Sequence, residues 1–269
     1  MPTRRQILAL GASAGAMLFL RALARAAADT AVYLPVVQVP EPTPTPTPTP
    51  SPTPEPVTPT SQPTVIPINT GPIIAPPSGN ANQAITWFAA RAVGFSDYTL
   101  YDITTIIQAY QSLGDSVGVD WFLALAQCAH ETGSLTSWWA QRTRRNPAGL
   151  GVTGVMVDGD GTSATQPPGV DWAWDASLAK WRAGMSFESW ANGSIPGHLG
   201  RLLAYALPEG AGTPAQQALI STALSRRALP AGYRGIAPTI IGFNGTWAYP
   251  GTTYGQSILD LARRMRGGV

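Results

Sequence analysis

The sequence predicts a predominantly α-helical domain with a small Gly-rich or β-hairpin flap, and three observations carry that reading. Apolar residues recur at helical spacing through most of the chain beyond residue 80. A single stretch, from Asn146 to Gly161, is instead rich in Gly and Val and ends in Asp158-Gly159-Asp160-Gly161, a strong turn signal. Between the two lies one helix, running from Asp120 to Gly133, that is apolar on one face and carries a carboxylate, Glu131, in its last turn.

Taken in order, residues 1–28 read as an address. Arg4 and Arg5 precede an uncharged, mostly apolar run from Ile7 to Leu20, and Ala26-Ala27-Ala28 offers small residues to a peptidase, as in a twin-arginine export signal. The run is shorter than the roughly 20 residues that span a bilayer as a helix, so release is expected rather than a stable membrane anchor. Residues 29–80 are dominated by Pro and Thr, with PEPTPTPTPTPSPTPEP between Pro40 and Pro56. Such a segment lacks backbone donors and an apolar face, and is expected to be a stiff, solvated, disordered linker at about 3.1 Å per residue. The catalytic domain is then expected at 81–269, long enough for one sizeable core.

Charge and cysteine content narrow the function. The chain carries a formal net charge of +2, much of its basic excess lies in the export segment, and the domain is near neutral. The dense basic cluster Arg142, Arg144 and Arg145 lies in a single loop, so a nucleic-acid partner is not expected. The lone Cys128 permits no internal disulfide and reads as a small core residue. A monomer is expected.

Within the domain, Gln83 to Val93, Leu100 to Leu113 and the central helix precede the flap. In the central helix Phe122, Leu125, Ala126 and Ala129 share a face, Asp120 is the expected N-cap and Gly133 the expected stop. After the flap, Leu178 to Trp190, Ile195 to Ala206, Pro214 to Ser225 (with Thr213 as cap) and Thr253 to Met265 read as helices. A carboxylate near a helix C-terminus faces the negative end of the macrodipole, which favours its protonated form. Glu131 is therefore a candidate general acid. A second carboxylate could come from Asp158 or Asp160, either reaching across a cleft as a base or simply serving the turn. The loop Asn146 to Gly151 would let backbone approach a ligand closely, Gly149 and Gly151 leaving no side chain in the way. Trp138, Trp139, Trp172, Trp174, Trp247, Tyr249 and Tyr254 are candidate stacking surfaces, and equally candidate core. His130 and His198 lack the spacing of metal ligands, so no metal and no cofactor are expected; His198 is expected to support packing or hydrogen bonding beneath the cleft.

The runs AQCAHETG, RNPAGLGVTG, SFESWANGSIPGHLGRLLAYAL and NGTWAYPGTTYGQSILDLARRM, in that order, resemble the bacterial glucosaminidase domain, glycoside hydrolase family 73. The resemblance covers Val119 to Gly268. It implies a lysozyme-like fold with the flap beside the active cleft, and an exported, extracellular or envelope-associated enzyme that cuts peptidoglycan glycan strands. By the resemblance Glu131 matches the catalytic acid, Asn146, Gly149 and Gly151 the Asn-x-x-Gly loop, and Tyr254 the C-terminal Tyr, with Trp138 and Trp247 as further substrate-binding candidates. Where many members have Tyr-Ala-Thr-Asp, this chain has Trp247-Ala248-Tyr249-Pro250, which weakens any role transferred to the first of those tyrosines. An amidase cutting the glycan-to-peptide link and a wall-binding module without turnover remain open at this level.

Overall fold

The structure, a computed structural model, describes residues 70–169 and 171–267. The export segment 1–28 and the linker up to residue 69 lie outside the described residues. The fold is predominantly α, with six helices of a dozen or more residues and one small antiparallel sheet among the described residues. The helices are α1 (Ala81–Ala92), α2 (Leu100–Val117), α3 (Trp121–Thr132), α4 (Ile195–Ala206), α5 (Pro214–Arg226) and α6 (Tyr254–Met265). None is long and apolar enough to cross a membrane.

The centre is α3. Ten of its twelve residues are buried, so it is apolar nearly all round, the pattern of a helix enclosed by others. It packs against α1, α2, α4 and α6. Its ends follow from local chemistry. The Asp120 carboxylate accepts from Leu123 N at 3.0 Å, and Gly133 takes the left-handed conformation (φ 57°) that closes the last turn. Capping boxes start α1 (Asn80 with Gln83), α2 (Thr99 with Asp102) and α5 (Thr213 with Gln216). The Gln216 side chain, itself buried, also reaches back to Val117 O at 2.8 Å and ties the start of α5 to the end of α2.

The domain begins earlier than the linker boundary at residue 80 suggested. Ile73 is 2% exposed. Its N–H donates to Pro238 O at 3.0 Å and its carbonyl accepts from Asp120 N at 2.9 Å, while Ile240 N donates to Gly71 O at 2.7 Å. Ser78 N adds a second donor to the Asp120 cap at 3.1 Å. Proline content hid the apolar Ile73-Ile74 pair that anchors this strap.

Two further expectations are corrected. The segment 178–190 is not a helix: it holds β3 (Lys180–Ala183) and the start of a π turn at Trp190–Ser194. Leu178, Trp181 and Met185 imitate helical spacing, but Trp181 and Ala183 alternate inward against Lys180 and Arg182, which is the strand period. The flap is also not a hairpin about Asp158-Gly159. Its strands β1 (Met156–Asp158), β2 (Trp172–Asp175) and β3 lie in the order β1-β3-β2, with Val157 and Trp174 both opposite Trp181. The tight connection joins β2 to β3, where Asp175 Oδ1 accepts from Ser177 N and Oγ at 3.0 and 2.6 Å. The chain after Asp158 instead folds back over the sheet, close enough that a Cβ on Gly159 or Gly161 would meet the Trp181 or Trp174 ring at 2.6 and 2.8 Å.

The α4–α5 pair is set by a glycine. A Cβ on Gly200 would lie 2.3 Å from Leu219 O and 2.9 Å from the Ala223 methyl. Because α4 carries His198 into the site, Gly200→Ala is expected to cost on the order of 3 kcal/mol by forcing the helices apart. Thermal unfolding checks this, and an unchanged Tm would show that the pair can separate freely.

Candidate active site

The site is assembled on the C-terminal half of α3. Gln127 and Glu131, four residues apart, share one helix face. Gln127 is fully buried, while Glu131 is half-buried with one side open. Three other segments converge on Glu131. Tyr254, the first residue of α6, donates its hydroxyl to Glu131 Oε1 in a short hydrogen bond. The Trp247 side chain lies beside the carboxyl and favours its charged form. Gly149 lies against the other oxygen: a Cβ there would sit 3.3 Å from Oε2, and its backbone has φ 61°. Glycine is thus required by both space and conformation.

Burial raises the Glu131 pKa above the ordinary glutamate value, and this outweighs the Tyr254 hydrogen bond, the His130 charge and the Trp247 side chain, which all lower it. No second carboxylate is among the groups that act on it. Tyr254 is in turn driven well above its usual range by burial and by the neighbouring Glu131 charge, so its hydroxyl stays a donor. The His130 ring meets the Tyr254 ring edge-on at 5.4 Å.

A line of buried polar groups extends away from Glu131. Gln127 Nε2 donates to Tyr254 Oη at 2.8 Å, Gln127 Oε1 meets His198 Nε2 at 3.0 Å, and His198 Nδ1 meets Tyr110 Oη at 2.8 Å. Burial alone lowers the His198 pKa to about 3, so the imidazole is neutral. This gives the expected hydrogen bonding of His198 beneath the cleft a definite form. Sequence reasoning did not find its partners Gln127 and Tyr110. The available signal was a single amide and a single imidazole on two otherwise apolar helix faces.

The loop 146–151 is shaped by Asn146, which is fully buried. Its Nδ2 donates to Leu150 O at 2.7 Å and Met185 O at 2.9 Å, and its Oδ1 accepts from Leu150 N at 2.8 Å and Ala148 N at 3.3 Å. That uses both donors and both acceptor positions. The expectation that Asn146 binds substrate directly is therefore corrected: it holds the loop that presents Gly149. Ala148 and Leu150 pack with Met185 and Phe187 in a small core that Trp247 also touches. Gly151, with φ 72°, lies against Met185 and the Arg227 guanidinium.

The other candidates are placed elsewhere. The Trp138 ring carries the Arg144 and Arg182 guanidiniums at 3.7 and 4.5 Å and meets Trp139 edge-on at 4.9 Å. Asp158, on the exposed edge of the flap, forms an ion pair with Lys180 opposite it. Asp160 accepts from Thr165 Oγ1, Thr162 Oγ1 and Thr162 N at 2.6, 2.7 and 2.9 Å, bonds that pull its pKa down to about 2. It pins the loop that covers Trp174 and Trp181, the turn chemistry open to it from the sequence. Cys128 is fully buried and its thiol is pushed up to about 12 by burial, as a core residue.

Fold and site together define a predominantly α domain with a carboxyl at the end of its central helix that burial biases toward protonation, flanked by a tyrosine donor, a tryptophan and a glycine loop. No protein-family model matches the chain, and no curated protein matches it. Among solved structures, the catalytic domain of the autolysin Auto from Listeria monocytogenes aligns with 61% of this chain and 82% of its own, at 13% identity and a TM-score of 0.35.

Proposed function

We propose that the chain is an exported peptidoglycan hydrolase, an endo-β-N-acetylglucosaminidase that cleaves a β-1,4 bond following N-acetylglucosamine with Glu131 as general acid. The observation that carries this reading is the environment of Glu131: burial biases it toward the acid, while Tyr254 and Trp247 are in place to stabilise the carboxylate left when the proton departs. Glycosidic cleavage needs that sequence, a proton delivered to the leaving oxygen as an oxocarbenium-like centre develops. Gly149 sets no side chain against Oε2, and Tyr254 and Trp247 lie beside the carboxyl. Asp158 and Asp160 are engaged with Lys180 and with Thr162 and Thr165, which supports the substrate's own 2-acetamido group as the second participant.

Product analysis on purified peptidoglycan tests the bond. New reducing ends terminating in N-acetylglucosamine are the expected result. New amino termini on released stem peptides would replace this reading with an amidase, and binding without any product would replace it with a wall-binding module.

A further inference from the structure

Glu131 is not served by Tyr254 alone. The tyrosine is the fourth link in a chain that runs from Tyr110 on α2, through His198 on α4 and Gln127 on α3, to the first residue of α6. Tyr110, His198 and Gln127 are fully buried and Tyr254 is 7% exposed, so the first three links exchange no bonds with bulk water.

The polarity of the chain follows from hydrogen counting. An ionised Glu131 only accepts, so the single Tyr254 proton points at it. The Tyr254 oxygen then accepts from Gln127 Nε2, which turns the amide oxygen toward His198. A neutral His198 must therefore carry its proton on Nε2, leaving Nδ1 to accept the Tyr110 hydroxyl. A turned amide would face nitrogen to nitrogen with that tautomer, so each link holds the next. With Gln127 Nε2 also donating to its oxygen, a Tyr254 hydroxyl turned to accept from a protonated Glu131 would leave its own proton without an acceptor among these groups.

We propose that Gln127, His198 and Tyr110 are positioning residues that lock the Tyr254 hydroxyl as a donor toward Glu131. This favours release of the Glu131 proton to substrate over its retention on a Tyr254 oxygen. The inference rests on Glu131 being the general acid for its catalytic meaning, but its physical content is open to test in the resting protein. The groups facing Glu131 are Tyr254, Trp247 and His130, with Cys128 one turn behind on the same helix. None of the three side chains hydrogen-bonds the Glu131 carboxyl; their bonds run to one another and to Tyr254.

The test is carboxyl ¹³C NMR of the full chain labelled at glutamate, which has five such residues, with the Glu131 signal assigned by its loss in Glu131→Gln. Gln127→Met removes the donor to Tyr254 at similar volume, and Tyr110→Phe removes only a hydroxyl from the far end. In both, Glu131 is expected to titrate at higher pH than in the wild type, more so for Gln127→Met. On soluble glycan fragments kcat should fall on the order of tenfold in Gln127→Met, the size of one hydrogen bond to a charged group, with KM little changed. If Gln127→Met does not fold, Tyr110→Phe decides alone. An unmoved Glu131 titration in a folded variant overturns the proposal, even if thermal stability drops. Because the titration needs no turnover, absence of wall cleavage by the wild type would remove the proposed function and leave this result readable. A failed relay beside intact Glu131-dependent cleavage would remove only the relay.

Discussion

Replacing Glu131 by Gln is expected to lower glycan cleavage by about 10²- to 10⁴-fold, the usual contribution of a positioned general acid. The amide oxygen can still accept from Tyr254, so the change removes the transferable proton and little else. In a peptidoglycan-gel clearing assay the variant should leave no zone at concentrations where the wild type clears. Clearing that persists unchanged would end the assignment of the acid. Wild-type activity should also fall as pH rises through the Glu131 pKa, which burial places above the ordinary glutamate value. The same shift gives stability a sign. A carboxyl whose folded pKa exceeds its unfolded one contributes fully below the unfolded pKa, and that contribution is lost as pH rises through the folded pKa. Above that folded pKa the wild type carries a partly buried carboxylate that the variant lacks. Glu131→Gln should therefore gain on the wild type in Tm as pH rises through it, whereas a Tm difference that does not move with pH would mean that burying the charge costs the fold nothing.

The second large effect is expected at Asn146. Asn146→Ala strands the Met185 carbonyl and the Leu150 and Ala148 N–H groups that its side chain serves in a fully buried site, while Leu150 O keeps its bond from Met185 N. Each orphaned buried group costs about 1–3 kcal/mol before relaxation. A net loss on the order of 3 kcal/mol, about 6–12 °C in Tm for a domain of this size, is a conservative expectation. Cleavage should fall as well, because the loop that holds Gly149 against Glu131 loses its internal frame. An unchanged Tm together with clearing at the wild-type level would mean that the Met185 and Leu150 packing suffices.

These residues also mark where the sequence was legible. The caps at Asp120, Thr213 and Gly133 and the apolar stripes of α3 to α6 are local signals, and the helices follow them. Glu131, Tyr254, Trp247 and Gly149 were named in advance, and the structure brings them together. What failed was long-range. Leu178, Trp181 and Met185 fit a helix as well as a strand until β1 and β2 are seen on either side of β3. Asn146 has the composition of a binding residue, and only its four internal bonds reveal a brace. Ile73 looked like part of a proline tract because its partners, Pro238 and Asp120, lie 165 and 47 positions away.

The Tyr254–Glu131 hydrogen bond spans 123 positions of chain, and that separation ties the two ends of the domain together. Glu131 on α3 and the hydroxyl that meets it on α6 are thus supplied from opposite ends of the domain, so a truncation that removes α6 would take away the Tyr254 partner of Glu131 and of Gln127 together.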